Sequence, residues 1–308
     1  MSKQPSVVCI MGPTASGKTS LAIEAAKALN GEVVSVDSAL IYKDMNIGTA
    51  KPSLQEQDGV PHHLLDIVSP ETSYSVADFL RDAEYAIEDI LARGRLPILA
   101  GGTMMYFNAL INGLNEMPES CKGTRDAITQ EIADHGLLAA HQRLHKVDPS
   151  SAERIHSNDT QRITRALEVF DSSGKTLTQW QTQSKRTLPF EFVQFCIMPT
   201  ERSELHRNIA LRFDTMLSDG LVSEVKTLLN TYNLHADLPS LRSVGYRQVW
   251  QHLQGELSAS EMRERGIIAT RQLAKRQITW LRGWENVENL ATGDKTNINK
   301  LVQKLCAT

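Results

Sequence analysis

Gly12-Pro13-Thr14-Ala15-Ser16-Gly17-Lys18-Thr19 follows the apolar run Val7-Val8-Cys9-Ile10-Met11 and opens a segment with helical patterning. The spacing G-x-x-x-x-G-K-[ST], set between a strand and a helix, is that of the phosphate-cradling P-loop common to ATP-binding proteins. Its glycines permit a tight turn whose backbone N–H groups converge on an anion. Lys18 adds a point charge, and the helix that follows directs the positive end of its dipole to the same spot. The Thr19 hydroxyl is placed to ligate a magnesium ion. The motif marks a phosphate site and leaves open which phosphate compound it holds.

Around this loop, short apolar runs alternate with helical patterns: a helix over residues 18–29, strands over 33–36 and 63–68, and a helix over about 76–93. Ser75, with Asp78 three residues on, makes a capping box at that helix start. Residues 96–100 read as another strand, followed by Gly101-Gly102-Thr103 and a helix to about Ile111. The alternation predicts an α/β fold, a P-loop NTPase-like parallel sheet covered by helices. From about residue 116 the strand signal fades, and Ile128, Ile132, Ile163, Leu167 and Phe170 recur at helical spacing. Residues 116–189 are therefore expected to form a helical insertion domain, with 1–115 and 190–308 sharing one catalytic core. Strand character returns over 192–198. Beyond Thr200 the chain is mostly helical, with a second capping box, Ser258 and Glu261, before a long helix to about Arg282, then a short strand over 287–290 and a final helix.

The net charge of −3 over 308 residues excludes a globally basic, nucleic-acid-coating protein, so any polyanion surface has to be local. Four scattered cysteines with no C-x-x-C pair read as free thiols, and no histidine or cysteine spacing matches structural zinc. Neither a signal-peptide pattern nor an apolar run of about 18 residues is present, so a cytoplasmic protein is expected.

Asp37 closes the second apolar run. In a doubly wound sheet the carboxyl ends of the strands face the ligand, so Asp37 suits a general base or outer magnesium ligand near the P-loop; a strand-end turn aspartate reads equally well. Gly101-Gly102-Thr103 stands where phosphoryl-transfer ATPases often carry an acid. Small residues there either admit a substrate close to the backbone or make a tight turn. Arg212 alone reads as a surface charge. On a helical wheel, Arg265, Arg271, Lys275, Arg276 and Arg282 share an arc of roughly 140°, with Thr270, Leu273, Ala274, Trp280 and Leu281 opposite. Residues 242–282 carry eight Lys or Arg against three Glu, which points to a polyanion partner. Arg162 and Arg165, three apart in the insertion, either make a second basic face that pairs with this helix around one nucleic acid or a plain salt-bridged face with Asp159 and Glu168.

Taken together, these residues resemble the bacterial tRNA dimethylallyltransferases, or tRNA isopentenyltransferases. The resemblance rests on Gly12 to Thr19, on Asp37-Ser38-Ala39-Leu40-Ile41-Tyr42 with Gly48-Thr49-Ala50-Lys51-Pro52, and on Gly101-Gly102-Thr103 with Tyr106-Phe107. It continues through Asn158-Asp159, Gln161-Arg162 and Arg165-Ala166-Leu167-Glu168 to Arg242-Ser243-Val244-Gly245-Tyr246-Arg247-Gln248 and Thr270-Arg271-Gln272-Leu273-Ala274-Lys275-Arg276-Gln277. The chain ends at Thr308 without the zinc-finger extension of eukaryotic members, which is similar to the short bacterial form.

The resemblance implies transfer of a dimethylallyl group from dimethylallyl diphosphate to N6 of the adenine next to the anticodon on its 3′ side, by a monomer. It gives the P-loop the donor's diphosphate, Thr19 a magnesium ion, Lys18 and Arg212 the charge growing on the leaving diphosphate, and Asp37 the proton of the amine. It also implies that the anticodon stem-loop is contacted by Asp37, Ser38, Ala39, Leu40, Thr103 and Arg125, and by Gln161, Arg162, Ile163, Thr164 and Arg165. Further contacts fall on Arg242, Ser243, Val244, Gly245, Tyr246 and Arg247, and on Lys275, Arg276, Gln277, Ile278, Thr279, Trp280, Leu281 and Arg282. The competing readings are a P-loop kinase for a small molecule or nucleotide, with Asp37 as base and the insertion as lid, and a non-enzymatic RNA-binding P-loop switch.

Overall fold

The computed structural model describes residues 5–307. Six strands, β1 (Ser6–Met11), β2 (Gly31–Val36), β3 (His62–His63), β4 (Leu96–Gly101), β5 (Glu191–Met198) and β6 (Glu288–Ala291), form one sheet in the order β3-β2-β4-β1-β5-β6. Every neighbouring pair is parallel. The alternation of strands and helices in the chain thus produces the expected α/β sheet.

The first four helices are α1 (Lys18–Leu29), α2 (Leu54–Gln57), α3 (Val76–Ala92) and α4 (Met104–Asn112). Alternate residues of β1 serve opposite faces of the sheet, as the strand period of two requires. Val7, Cys9 and Met11 pack with Phe79, Ile87 and Phe107 from α3 and α4, whereas Val8 and Ile10 pack with Leu21, Ala22 and Ala25 from α1. Burial on both faces explains why β1 is an unbroken apolar run. The Ser75 capping box is formed: the Asp78 N–H donates to Ser75 Oγ at 3.1 Å and the Ser75 N–H to Asp78 Oδ2 at 3.0 Å.

The expected strand over 63–68 is cut to His62–His63, with Val68 meeting Tyr42 in an isolated bridge. Leu64 (φ +61°) and Asp66 (φ +55°) take the left-handed conformation, which ends the pleat, and Lys51 Nζ holds Asp66 Oδ1 at 2.5 Å.

By contact density the chain divides into two compact units, one reaching Ile111 and resuming at Leu188, the other Asn112–Thr187. The second unit is built from α5 (Lys122–His135), α6 (Leu137–Val147), α7 (Pro149–Arg154), α8 (Thr160–Ser173) and α9 (Leu177–Gln181) around Ile128, Leu144, Ile163 and Leu167. Its chain ends meet in an antiparallel bridge, Leu114 to Arg186.

In the first unit, α10 (Arg202–Ser218), α11 (Leu221–Thr231), α12 (Tyr246–Leu253), α13 (Ala259–Arg282) and α14 (Asn297–Ala307) complete the chain. Ile209 and Phe213 of α10 pack on Ile267 and Ala274 of α13. The buried positions of α13 are Met262, Gly266, Ile267, Ala274, Gln277 and Leu281, and Trp280 is 48% exposed. The helical wheel places Trp280 on the packing side; the contact line instead runs through the small residues Gly266 and Ala274, which let α10 approach. No helix among the described residues is long and apolar enough to cross a membrane.

Candidate active site

The carboxyl ends of β1, β2 and β4 surround a cavity of about 180 Å³ within the first unit. The P-loop forms its floor. Gly17 sits at φ +88°, a left-handed turn that glycine adopts without strain, and α1 then starts with no side chain capping it and no acid in its first turn. Its leading N–H groups are thus left for an anion. The Ser16 hydroxyl is buried with no hydrogen-bond partner, a second unsatisfied group in the same loop. Thr14, Ala15, Lys18 and Thr19 line the cavity directly.

Lys18 Nζ donates to the Pro13 carbonyl at 2.7 Å. Burial pulls its ammonium down to about 8, with Asp37 opposing that fall and Arg212 adding to it. Arg212 enters from α10; burial lowers it from arginine's usual range, and the carboxylates of Asp37 and Glu56 work against the loss of charge. One anionic and two cationic side chains from three different elements therefore share a single cavity. No local pattern around Leu211-Arg212-Phe213 announces this: only the α10–α13 packing turns Arg212 inward.

Asp37 leaves the end of β2 and is folded back by its own chain, Oδ1 accepting the Ala39 N–H at 2.8 Å. This is the strand-end turn of the second reading, and the residue also lines the cavity beside the P-loop, where the first reading places it. Thr103 Oγ1 accepts the Ser38 N–H at 3.0 Å while the Thr103 N–H donates to Val36 O at 3.2 Å, joining the ends of β2 and β4. Gly101 has no room for a side chain, because a Cβ would lie 2.0 Å from the Val36 carbonyl oxygen. The protein's own backbone closes on it from one side, while Gly101 and Gly102 also line the cavity. Leu40, Ile209, Phe213, Met216 and Leu273 supply an apolar wall.

Several residues expected to meet RNA have side chains turned into the protein. Ile163, Thr164, Tyr246, Gln277 and Leu281 are all buried. Amphipathic helices must commit these positions to packing, and motif matching carried them along with their exposed neighbours. Ser243 and Val244 line the cavity, Gly245 is buried, and Ile278 is half-buried. Arg242 and Arg247 instead flank a separate cavity of about 130 Å³ with Trp250. Lys275, Arg276, Thr279 and Arg282 are exposed on α13. Among the described residues no carboxylate pairs with Lys275, Arg276 or Arg282, whereas Arg263 on the same helix is held by Asp214.

In the helical unit Gln161 and Arg162 are exposed. Arg165 donates to buried Glu168 at 3.1 Å and to the Pro118 carbonyl at 2.7 Å, with Arg125 3.9 Å from the same carboxylate.

Two polar side chains serve as anchors: Glu224, which no sequence signal singles out, and Gln277, which the resemblance gives to RNA. Glu224 accepts the N–H groups of Asn46, Ile47 and Gly48 at 3.0, 2.7 and 3.2 Å and the Tyr246 hydroxyl at 2.5 Å, fixing the segment that carries Gly48, Thr49 and Ala50 to the cavity wall. Gln277 bridges the P-loop and Gly102. Both act across more than 170 residues of chain, beyond the reach of any local pattern.

A family model of IPP transferases matches residues 40–284. The full-length tRNA isopentenylpyrophosphate transferase of Bacillus halodurans is similar at 36% identity over 99% of this chain and 96% of that one, with a TM-score of 0.73. The tRNA delta(2)-isopentenylpyrophosphate transferase of Staphylococcus epidermidis is 32% identical over 99% and 100%, TM-score 0.71. A eukaryotic dimethylallyltransferase captured acting on tRNA is 29% identical over 98% of this chain and 77% of that one, TM-score 0.79.

Proposed function

Since the chain belongs to the IPP transferase family, we propose that it transfers a dimethylallyl group from dimethylallyl diphosphate to N6 of the adenine on the 3′ side of a tRNA anticodon, releasing diphosphate. The observation that carries this reading is the meeting of Asp37, Lys18 and Arg212 around one cavity with an apolar wall. The N–H groups of the P-loop and the two cations hold the donor's diphosphate, and Phe213, Met216 and Leu273 cover its five-carbon tail and keep water from the allylic carbon.

In the reaction the N6–C1 bond forms as the C1–O bond breaks. The bonding pair leaves with the diphosphate oxygen, where Lys18 and Arg212 stabilise the growing charge. The exocyclic amine is a weak nucleophile because its lone pair is delocalised into the ring, so the Asp37 carboxylate orients it and takes its proton. The adenine must leave the loop stack to enter the cavity.

A magnesium ion fits the donor set: the exposed Thr19 hydroxyl lines the cavity, and no cluster of three His, Cys, Asp or Glu is found among the described residues. Such a site suits a cation held largely by the phosphate it accompanies, whose negative charge it neutralises.

RNA is gripped by Lys275, Arg276 and Arg282 on α13, by Arg242 and Arg247, and by the helical unit through Arg125, Gln161, Arg162 and Arg165. The protein works as a cytoplasmic monomer. The test is a magnesium-dependent assay on unmodified tRNA that compares labelled dimethylallyl diphosphate with labelled ATP. Label from the prenyl donor is expected in the RNA; phosphate transfer from ATP with no prenyl incorporation would return the protein to the kinase reading.

A further inference from the structure

Gln277 belongs by motif to the RNA-facing stretch of α13, but its side chain is 8% exposed and both of its polar ends are engaged inside the protein. Oε1 accepts the Thr14 N–H at 2.9 Å, and Nε2 donates to the Gly102 carbonyl at 2.9 Å. We propose that Gln277 is a positioning residue for the diphosphate of the donor, setting the mouth of the P-loop against the end of β4, and that it does not contact RNA. The proposal rests on the reading of the P-loop as the donor's diphosphate site.

β1 and β4 are adjacent in the sheet, with Met11 opposite Gly101, so the loops leaving them emerge side by side. Nothing in either loop's own backbone ties Thr14 to Gly102; the planar carboxamide of Gln277 does so, and it sets their separation. The fit is close, since a Cβ on Gly102 would lie 2.4 Å from Gln277 Nε2.

Thr14 is next in the chain to Pro13, whose carbonyl accepts the Lys18 ammonium at 2.7 Å. A shift of Thr14 therefore moves the partner of the one lysine in the cradle. Finally, the protein itself occupies the Thr14 N–H, while the uncapped start of α1 is left for a ligand. A cradle of this kind binds well when its donors are aimed beforehand, and a loop that must be ordered on binding loses affinity.

The test uses the full-length protein with magnesium and two variants, Gln277→Met, which keeps length and helix propensity, and Gln277→Glu, which keeps the acceptor for Thr14 but turns an oxygen on the Gly102 carbonyl. Inorganic pyrophosphate is titrated by calorimetry, an unmodified anticodon stem-loop by fluorescence anisotropy, and thermal unfolding is followed alongside. Pyrophosphate affinity is expected to fall roughly 5- to 100-fold in both, the range set by leaving a buried donor and acceptor unpaired, with RNA affinity held within about twofold. In steady state the KM for the prenyl donor should rise and that for RNA should not. Relative to wild type, Gln277→Glu should recover on acidification, because its protonated carboxyl can again donate to Gly102; a merely structural role would not show this.

Weakened RNA binding with unchanged pyrophosphate affinity would make Gln277 an RNA contact and overturn the proposal, as would no change in either. If Gln277→Met fails to fold, Gln277→Glu decides. Wild-type protein that binds pyrophosphate but transfers no prenyl group overturns the functional reading alone, and one that binds no pyrophosphate overturns both.

Discussion

Donor binding should weaken sharply above pH 8, because the ammonium of Lys18 is the group that titrates there. Burial beneath the cavity pulls it from lysine's ordinary range to about 8; Asp37 supports the charge and Arg212 opposes it. About nine-tenths of the free protein then carries the charge at pH 7 and about one-tenth at pH 9. A diphosphate binds the charged form, so affinity should be nearly level below pH 7. It should fall about fivefold between pH 8 and 9, then about tenfold, or about 1.4 kcal/mol, for each further pH unit until the neutral form's own affinity takes over. The same depression acts on folding with a definite sign: the unfolded chain holds the proton more tightly, so Lys18 burdens the folded state below pH 8 and the burden lifts as the pH rises toward 10.5. The assay is a calorimetric titration with a non-reactive dimethylallyl diphosphate analogue from pH 6.5 to 10, using Lys18→Arg as a reference whose charge persists, so that ionisation of the ligand cancels. The wild-type to Lys18→Arg affinity ratio should drop about fivefold between pH 8 and 9 and about tenfold between pH 9 and 10. A constant ratio across the range would refute the buried, charge-bearing role of Lys18.

Three more outcomes follow from the same geometry. Asp37→Asn retains an acceptor for the Ala39 N–H and so the local turn; turnover should fall roughly 10²- to 10⁴-fold with stem-loop affinity unchanged, and near-normal single-turnover rates would leave Asp37 a turn residue only. Neutralising Lys275 and Arg282 together to Gln should lower the log–log salt slope of RNA binding by about 1.4, two phosphates on a single strand; an unaltered slope removes that face of α13 from the interface. Glu168→Ala, which strips Arg125, Arg165 and the Ser120 hydroxyl of their buried partner, should cost the helical unit about 3 kcal/mol in chemical denaturation, and a loss under about 1 kcal/mol would contradict the burial argument.

Local chemistry was legible in the sequence, and long-range geometry was not. The P-loop, the end of β2 at Asp37 and both capping boxes depend on residues a few positions apart, and each is where its spacing puts it. The strand over 63–68 failed because two non-glycine residues enter the left-handed region, which no propensity signals. Trp280 was turned inward by an averaged wheel that could not know α10 meets α13 along its small residues. Glu224 was overlooked, Gln277 was given to RNA, and Arg212 was assigned by resemblance while its local pattern read as a surface charge, all for a common reason. Each is a polar side chain whose role comes from burial against a segment distant in sequence, and burial of that kind is a property of the packed core.

The most direct measurement is nucleoside mass spectrometry of unmodified tRNA after incubation with the protein, magnesium and dimethylallyl diphosphate. Transfer from the Lys18–Arg212 cradle to an amine deprotonated by Asp37 predicts one dimethylallyl group on N6 of the adenine 3′ to the anticodon, with one diphosphate released per group and the product lost in Asp37→Ala. RNA that returns unmodified, or a group on any other base or atom, would contradict it.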